Sequence, residues 1–211
     1  MKQRRSFDLS VYFIADPSVC GGRRVEHVVR AAVDGGATMV QLRDKSGDLA
    51  QVERHARAIQ EALYNSDVAF IINDYVDLAA RIGADGAHIG QDDMGAVRAR
   101  EILGEAAILG QTAFTPEHLA AVDAQVIDYV GTGPVYPTLT KPGKPVLGVE
   151  GFGALVSLSP VPVVGIGGMT PETCAFVMQA GAKGVAMMRG ISEAEDPRSA
   201  ARRFMAEVRR V

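Results

Sequence analysis

The chain has 211 residues, carries 22 Lys and Arg against 25 Asp and Glu, and is 47% hydrophobic, enough for one large core. The near-even charge excludes the broad basic field of a nucleic-acid or anionic-membrane binder, so any anion must be held locally. The length suits one compact domain, 1–211, rather than a pair.

Cys20 and Cys174 are too few for a disulfide scaffold or a Cys-rich metal site, so reduced thiols and a cytoplasmic location are expected. The N-terminal stretch MKQRRSFDLSVYFIAD is basic and then apolar, but Asp8 and Asp16 interrupt it before a leader-like core can form. No apolar run has the length of a membrane span.

In chain order, brief apolar runs recur at VYFIA (11–15), TMVQL (38–42), VAFII (68–72), GAHIG (86–90), AAILG (106–110), DYVGTG (128–133), VPVVGIGG (161–168) and GVAMM (184–188). Between them lie stretches with helical spacing of apolar residues: VEHVVRAAVDGG, LAQVERHARAIQEAL, VDLAARIG, MGAVRAREILG, PEHLAAVDA and PETCAFVMQAG. Several end on a glycine stop just before the next run, as in DGGATMV, IGADGAHI and QAGAKGVA, where Gly relieves the left-handed cap. Continuous apolar strands alternating with helices specify a parallel sheet covered on its outer face. Eight such units in this length favour a closed (β/α)8 TIM barrel over an open doubly wound sheet. The terminal DPRSAARRFMAEVRRV reads as an amphipathic helix with Ala201, Phe204, Met205 and Val208 inward and its arginines on a solvated face. The long irregular stretch is GPVYPTLTKPGKPVLG at 133–148.

A barrel of this kind carries its chemistry on the loops after the C-terminal ends of its strands, so the polar residues there are read at one depth. After the second run, Gln41, Arg43 and Lys45 alternate, and the strand period of two sends them to one side, where they make an anion site or, more plainly, a solvated edge. After the third come Asn73 and Asp74, and after the fourth Gln91, Asp92 and Asp93. Two carboxylates from neighbouring strands, with no Cys or His cluster, suit a hard cation such as Mg2+ better than zinc. Asp74 has the alternative of capping the helix that follows it, and Asp92 of capping one that begins near Met94, which leaves Asp93 as the better metal candidate.

The fifth run leads into GQTAFTPEH, which offers Thr112, core or ligand, and Thr115 with Pro116 as a helix cap and first helical residue. His88, inside an apolar strand, is expected as a hydrogen-bonded core histidine. After the sixth run the long loop supplies Thr138, Thr140 and Lys141 among Pro and Gly, either a lid over a ligand or a merely solvated loop. GIGGMTPE and MMRGIS after the last two runs carry Gly167, Gly168, Met188 and Arg189. In such barrels these two loops hold a phosphate against backbone N–H groups and the N-terminus of a short helix. Two anion sites, one bridged by a divalent cation, imply two phosphorylated small-molecule substrates, with no nucleic acid or membrane as partner and a homo-oligomer left open.

The ordered series VYFIAD, VQLRDK, IND, ADGAHIGQDD, DYVGTGPVYPTLTK, VPVVGIGGMTPE and GAKGVAMM resembles the thiamine-phosphate synthase (thiamine-phosphate pyrophosphorylase) family along nearly the whole chain. The resemblance implies a Mg2+-dependent transferase of thiamine biosynthesis that joins hydroxymethylpyrimidine diphosphate to a thiazole phosphate, with or without a thiazole carboxylate, and releases pyrophosphate. Carried over by motif, Gln41, Leu42, Arg43, Asp44, Lys45, Asn73, Thr112 and Lys141 would hold the pyrimidine diphosphate, with Arg43, Lys45 and Lys141 as the catalytic cations. Asp74 and Asp93 would bind Mg2+, and Thr138, Leu139, Thr140, Gly167, Gly168, Met188 and Arg189 would hold the thiazole phosphate. Such a reaction needs neutralisation of a departing pyrophosphate and placement of the acceptor, which agrees with the lack of an evident Ser-His or Cys-His pair.

Two positions depart from the family pattern. Where the family usually has GxSAHT, this chain has GQTAFT, which keeps a hydroxyl in Thr112 and replaces the His with Phe114. Related thiazole tautomerases use a His near there and lack the acidic pair, so Phe114 with Asp74 and Asp93 favours the synthase. MMRGI puts Arg189 where a small Ser usually faces the thiazole phosphate, either as a charge-assisted contact or as bulk that changes the acceptor. The rival readings are a tautomerase-like isomerase, which needs neither metal nor diphosphate clamp, and a paralogue that binds thiamine phosphate without turnover.

Overall fold

The structure is a computed structural model that describes residues 4–140, 143 and 145–211, so the candidate Lys141 lies outside the described residues. Eight parallel strands close into a barrel in chain order: β1 (Val11–Ala15), β2 (Met39–Leu42), β3 (Ala69–Asn73), β4 (Gly86–Ile89), β5 (Ile108–Thr112), β6 (Tyr129–Thr132), β7 (Val163–Ile166) and β8 (Gly184–Met187). β8 returns to pair with β1, with Tyr12 opposite Ala186, which removes both sheet edges. This is the closed (β/α)8 barrel expected from the alternation of apolar runs. β5 begins two residues later than its run, because Ala106 and Ala107 still belong to a turn whose Ala107 carbonyl accepts from Arg100 at 2.6 Å.

The helices are α1 (Val25–Asp34), α2 (Leu49–Ala62), α3 (Val76–Ile82), α4 (Ala96–Leu103), α5 (Pro116–Ala120), α6 (Gly148–Val156), α7 (Pro171–Gln179), α8 (Arg189–Ser192) and α9 (Pro197–Val208). α6 is absent from the helical spacing read in the sequence. Its glycines at 148, 151 and 153 are poor helix formers, and burial of Phe152 and Leu155 against the barrel decides the matter instead. α9 buries Ala201, Phe204, Met205 and Val208 as expected.

Thr115 caps α5 as expected, accepting from the His118 N–H, with Pro116 in the first turn. The alternative readings of Asp74 and Asp92 as helix caps are not realised. The N-cap of α3 is Tyr75, because Asp74 turns the chain one residue earlier with φ 65. α4 starts at Ala96 behind Gly95, whose extended backbone enters the helix without a side-chain cap, so Asp92 caps nothing there.

Strand alternation splits the core into two layers. Val11, Phe13 and Ala15 face the helices, while Tyr12 and Ile14 turn into the barrel, where Met39, Ile71, Ile108, Tyr129 and Val164 join them. At the N-terminal end of the barrel, Phe7 lies 5.9 Å from the Tyr129 ring. Arg4 Nε and the buried Arg100 both donate to Asp128, at 2.9 and 2.7 Å, and Arg100 also binds the Val126 carbonyl at 2.6 Å. That end is filled and locked, which leaves the opposite end for a site.

Candidate active site

At the C-terminal ends of the strands the barrel opens into a cavity of about 340 Å³. β2 turns Gln41 inward, and Arg43 follows on the same side, so both line the cavity. Leu42 faces the helical layer. The Asp44 carboxylate is buried on that side too, accepting from the Ser46 N–H at 2.9 Å and facing His55 Nδ1 at 2.7 Å. Burial pushes the Asp44 carboxyl up, but the Ser46 N–H and His55 outweigh it and hold it below its ordinary value. Leu42 and Asp44, expected among the substrate contacts, do not line the cavity, because a period of two turns their side chains away from Gln41 and Arg43.

Arg43 Nη1 donates to Asp16 at 2.6 Å. Asp16, 4% exposed at the end of β1, also accepts from the Ser18 hydroxyl at 2.6 Å, so it fixes the guanidinium against a held carboxylate. Asp16 is not among the residues expected at the site, although it carries the same signal as Asp74, an acid placed directly after a buried strand.

Asn73 ends β3 and lines the cavity. Asp74 then takes the left-handed backbone conformation that non-glycine residues rarely adopt, pinned by its N–H donating to the His88 carbonyl at 2.9 Å. The turn aims its carboxylate at the Lys45 ammonium, with which it forms an ion pair, and at Asp93. Burial raises the Asp74 carboxyl, Lys45 opposes the rise, Asp93 adds to it, and the net shift is upward. Asp92 and Asp93 are both exposed, and Asp93 is oriented by the Gly90 N–H, which donates to Oδ2 at 2.7 Å. Among the described residues no group of three or more His, Cys, Asp or Glu gathers. A pair of carboxylate oxygens fits a hard cation that completes its shell with water and phosphate oxygens.

Thr112 ends β5, with its Oγ1 3.0 Å from His88 Nε2. His88 is buried and hydrogen-bonded, as a core histidine should be, yet it also lines the cavity. Phe114 forms part of the wall and meets the His118 ring edge-on at 4.6 Å.

Across the mouth, Thr138, Leu139 and Thr140 line the cavity from the β6–α6 loop, with Leu139 81% exposed at its tip. Gly167 and Gly168 follow β7 with φ 100 and 63. A Cβ on Gly168 would lie 2.7 Å from Tyr136 Cβ, so the bare backbone is what lets the two loops touch. Met188 precedes α8 and Arg189 opens it, and both line the cavity. The Arg189 guanidinium already pairs with Glu193, while its buried Nε makes no hydrogen bond among the described residues. One cavity thus gathers Gln41, Arg43, Asn73 and Thr112 on one side and the Thr138–Thr140, Gly167–Gly168 and Met188–Arg189 pieces on the other. Lys45, Asp74 and Asp93 stand together beside it.

A family model described as Thiamine monophosphate synthase matches residues 11–191. A thiamine-phosphate synthase of Bacillus velezensis is 44% identical over 209 residues, spanning 96% of this chain and 92% of that protein. Another, of Azorhizobium caulinodans, is 43% identical over 93% of each. Among solved structures, a thiamine phosphate pyrophosphorylase from Pyrococcus furiosus matches with a TM-score of 0.85 and 29% identity over 96% of each chain. An orotidine 5'-phosphate decarboxylase from Pyrococcus horikoshii, at 15% identity and a TM-score of 0.70 over 95% of this chain and 100% of that one, shares the fold alone. The matched segment runs from the start of β1 into α8 and contains every group placed around the cavity, so the chain belongs to the thiamine monophosphate synthase family.

Proposed function

We propose that this cavity joins a pyrimidine-methyl diphosphate to a thiazole phosphate, with or without a ring carboxylate, within one domain, 1–211. The activity of the family is thiamine-phosphate synthesis, a transferase reaction of thiamine biosynthesis. One observation supports the assignment of residues: Arg43 on one wall of the cavity, with Lys45, Asp74 and Asp93 clustered beside it, stands opposite a wall that carries Gly167 and Gly168.

In this reading Gln41, Asn73 and Thr112, with the backbone of Leu42 and Asp44, hold the pyrimidine. Arg43, Lys45 and Lys141 neutralise the diphosphate as it departs, and Asp16 keeps Arg43 in position. Asp74 and Asp93 hold Mg2+, which when bound supplies further positive charge to the pyrophosphate. Thr138, Leu139, Thr140, Gly167, Gly168, Met188 and Arg189 hold the acceptor phosphate, chiefly through backbone N–H groups. Departure of pyrophosphate leaves a cation on the pyrimidine methylene, and the thiazole nitrogen attacks it. Placement is the protein's main contribution, and no side-chain nucleophile takes part.

Both cysteines are buried and free, which suits a reducing, cytoplasmic setting. Among the described residues no helix is long and apolar enough to cross a membrane. The test is to incubate protein with both substrates, with and without Mg2+, and to quantify thiamine phosphate and pyrophosphate together. Equal, Mg2+-dependent formation of the two is expected. Binding of both substrates without product would replace this reading with a non-catalytic binding protein.

A further inference from the structure

Five side chains from five strands form one hydrogen-bonded chain, and four of them, Gln41, Tyr12, His88 and Thr112, line the cavity. Gln41 Nε2 on β2 donates to the Tyr12 hydroxyl on β1 at 2.6 Å, and the Tyr12 and Tyr129 hydroxyls meet at 2.7 Å. The Tyr129 hydroxyl on β6 lies 3.1 Å from His88 Nδ1 on β4, and His88 Nε2 lies 3.0 Å from Thr112 Oγ1 on β5. The path crosses the barrel interior instead of following the sheet. Gly110 on β5 makes room for it, since a Cβ there would overlap the Tyr129 ring.

Counting hydrogens gives the chain a direction. Burial raises both phenols, so Tyr12 and Tyr129 stay protonated and each gives one hydrogen while accepting another. Tyr12 accepts from Gln41, so its own hydrogen goes to Tyr129, and that of Tyr129 goes to His88 Nδ1. A neutral imidazole then carries its hydrogen on Nε2 and donates it to Thr112. The Thr112 hydroxyl hydrogen is left over, on a residue that lines the cavity. Gln41, at the other end, keeps its carbonyl oxygen as an acceptor. No phenol gives two hydrogens, so reversing one member reverses the whole chain.

We propose that Tyr12, Tyr129 and His88 are positioning residues that make Thr112 a hydrogen-bond donor to the diphosphate substrate and so select a substrate with an acceptor at that point. The proposal rests on the reading that the Gln41–Thr112 side holds that substrate.

Two measurements test it, and the first needs no substrate. Nitrogen NMR of ring-labelled histidine, with His88→Gln for assignment, should show His88 as the Nε2–H tautomer, shifting toward Nδ1–H in Tyr129→Phe. An imidazolium, or an Nδ1–H tautomer, in the unmodified protein would overturn the direction of the chain. The second is a double-mutant cycle. Tyr129→Phe, or Tyr12→Phe should the first variant fold poorly, keeps the ring and removes one link. Each should raise the KM of the pyrimidine diphosphate about fivefold to tenfold, the size of one hydrogen bond, and leave the acceptor KM within twofold. In a Thr112→Val background the same change should add less than twofold, whereas full additivity would show that the tyrosines do not act through Thr112. Failure of the unmodified protein to form thiamine phosphate counts against the functional reading alone. In that case the Kd of the pyrimidine diphosphate replaces KM in the cycle, and the tautomer still decides the direction.

Discussion

Lys45 and Asp74 form an ion pair across the ends of β2 and β3, with Asp93 beside the same carboxylate. In the proposed function the two acids would hold a divalent cation, and the ammonium would pair with the ligand diphosphate. Asp74→Asn and Asp93→Asn should each lower kcat/KM by on the order of 100-fold, the scale of the several kcal/mol that a bound cation supplies. Both should also raise the Mg2+ concentration that gives half the maximal rate. An unchanged Mg2+ titration in the two variants would remove this pair from the metal site.

Arg189 offers a guanidinium already balanced by Glu193 and a buried Nε without a hydrogen bond among the described residues. A phosphate oxygen would complete it. Arg189→Ala should raise the acceptor KM by roughly 10- to 100-fold, the scale of a charge-assisted hydrogen bond, and leave the diphosphate KM within twofold. Equal changes in both constants would sink the assignment.

Gly168→Ala forces a side chain into left-handed backbone and against Tyr136 and Pro137 of the facing loop. The loop should be pushed off the wall, with a stability loss of about 1–3 kcal/mol and a higher acceptor KM. Thermal unfolding and steady-state kinetics read the two effects separately, and wild-type values in both would show that the loops do not need this contact.

The far end of the barrel gives a contrasting expectation. Arg100 is 5% exposed and its partner Asp128 nearly as buried, so Asp128→Ala leaves a guanidinium without its charge partner. Denaturant unfolding should show a loss of about 3–5 kcal/mol, with both substrate KM values unchanged in the folded fraction.

Asp44 supplies a pH test whose sign follows from its lowered carboxyl. A folded-state value below the unfolded one adds stability that is complete above the ordinary value of 3.8 and disappears as pH falls through the lowered value. The part of the wild-type stability advantage over Asp44→Asn that comes from the lowered carboxyl should therefore disappear as pH falls below 3.8. Growth of the advantage below that pH would reverse the assignment.

Much of this was legible along the chain. Buried parallel strands are apolar on both faces, so each appeared as a continuous run, and the rule that barrel chemistry sits at their C-terminal ends selected the loops that surround the cavity. The period of two put Gln41 and Arg43 on one side, but Leu42 and Asp44, expected beside them as contacts, do not line the cavity. α6 was hidden because its glycines erase local propensity, and the packing that replaces it is tertiary. The capping alternative for Asp74 is not realised, because the aspartate takes a left-handed turn one residue before the helix, which nothing in the sequence announces. Tyr12, His88 and Tyr129 each look like ordinary strand residues, and only closure of the barrel brings them into one hydrogen-bonded chain. Asp16 was legible in principle, by the same rule that singled out Asp74.

The packed lower end of the barrel has a consequence for traffic. With Phe7 against Tyr129, and Arg4 and Arg100 fastened to Asp128, the lower end of the interior is packed among the described residues, and the cavity opens at the C-terminal ends of the strands. In the proposed function both substrates would therefore share that route of entry, past the loop that carries Thr138 and Thr140.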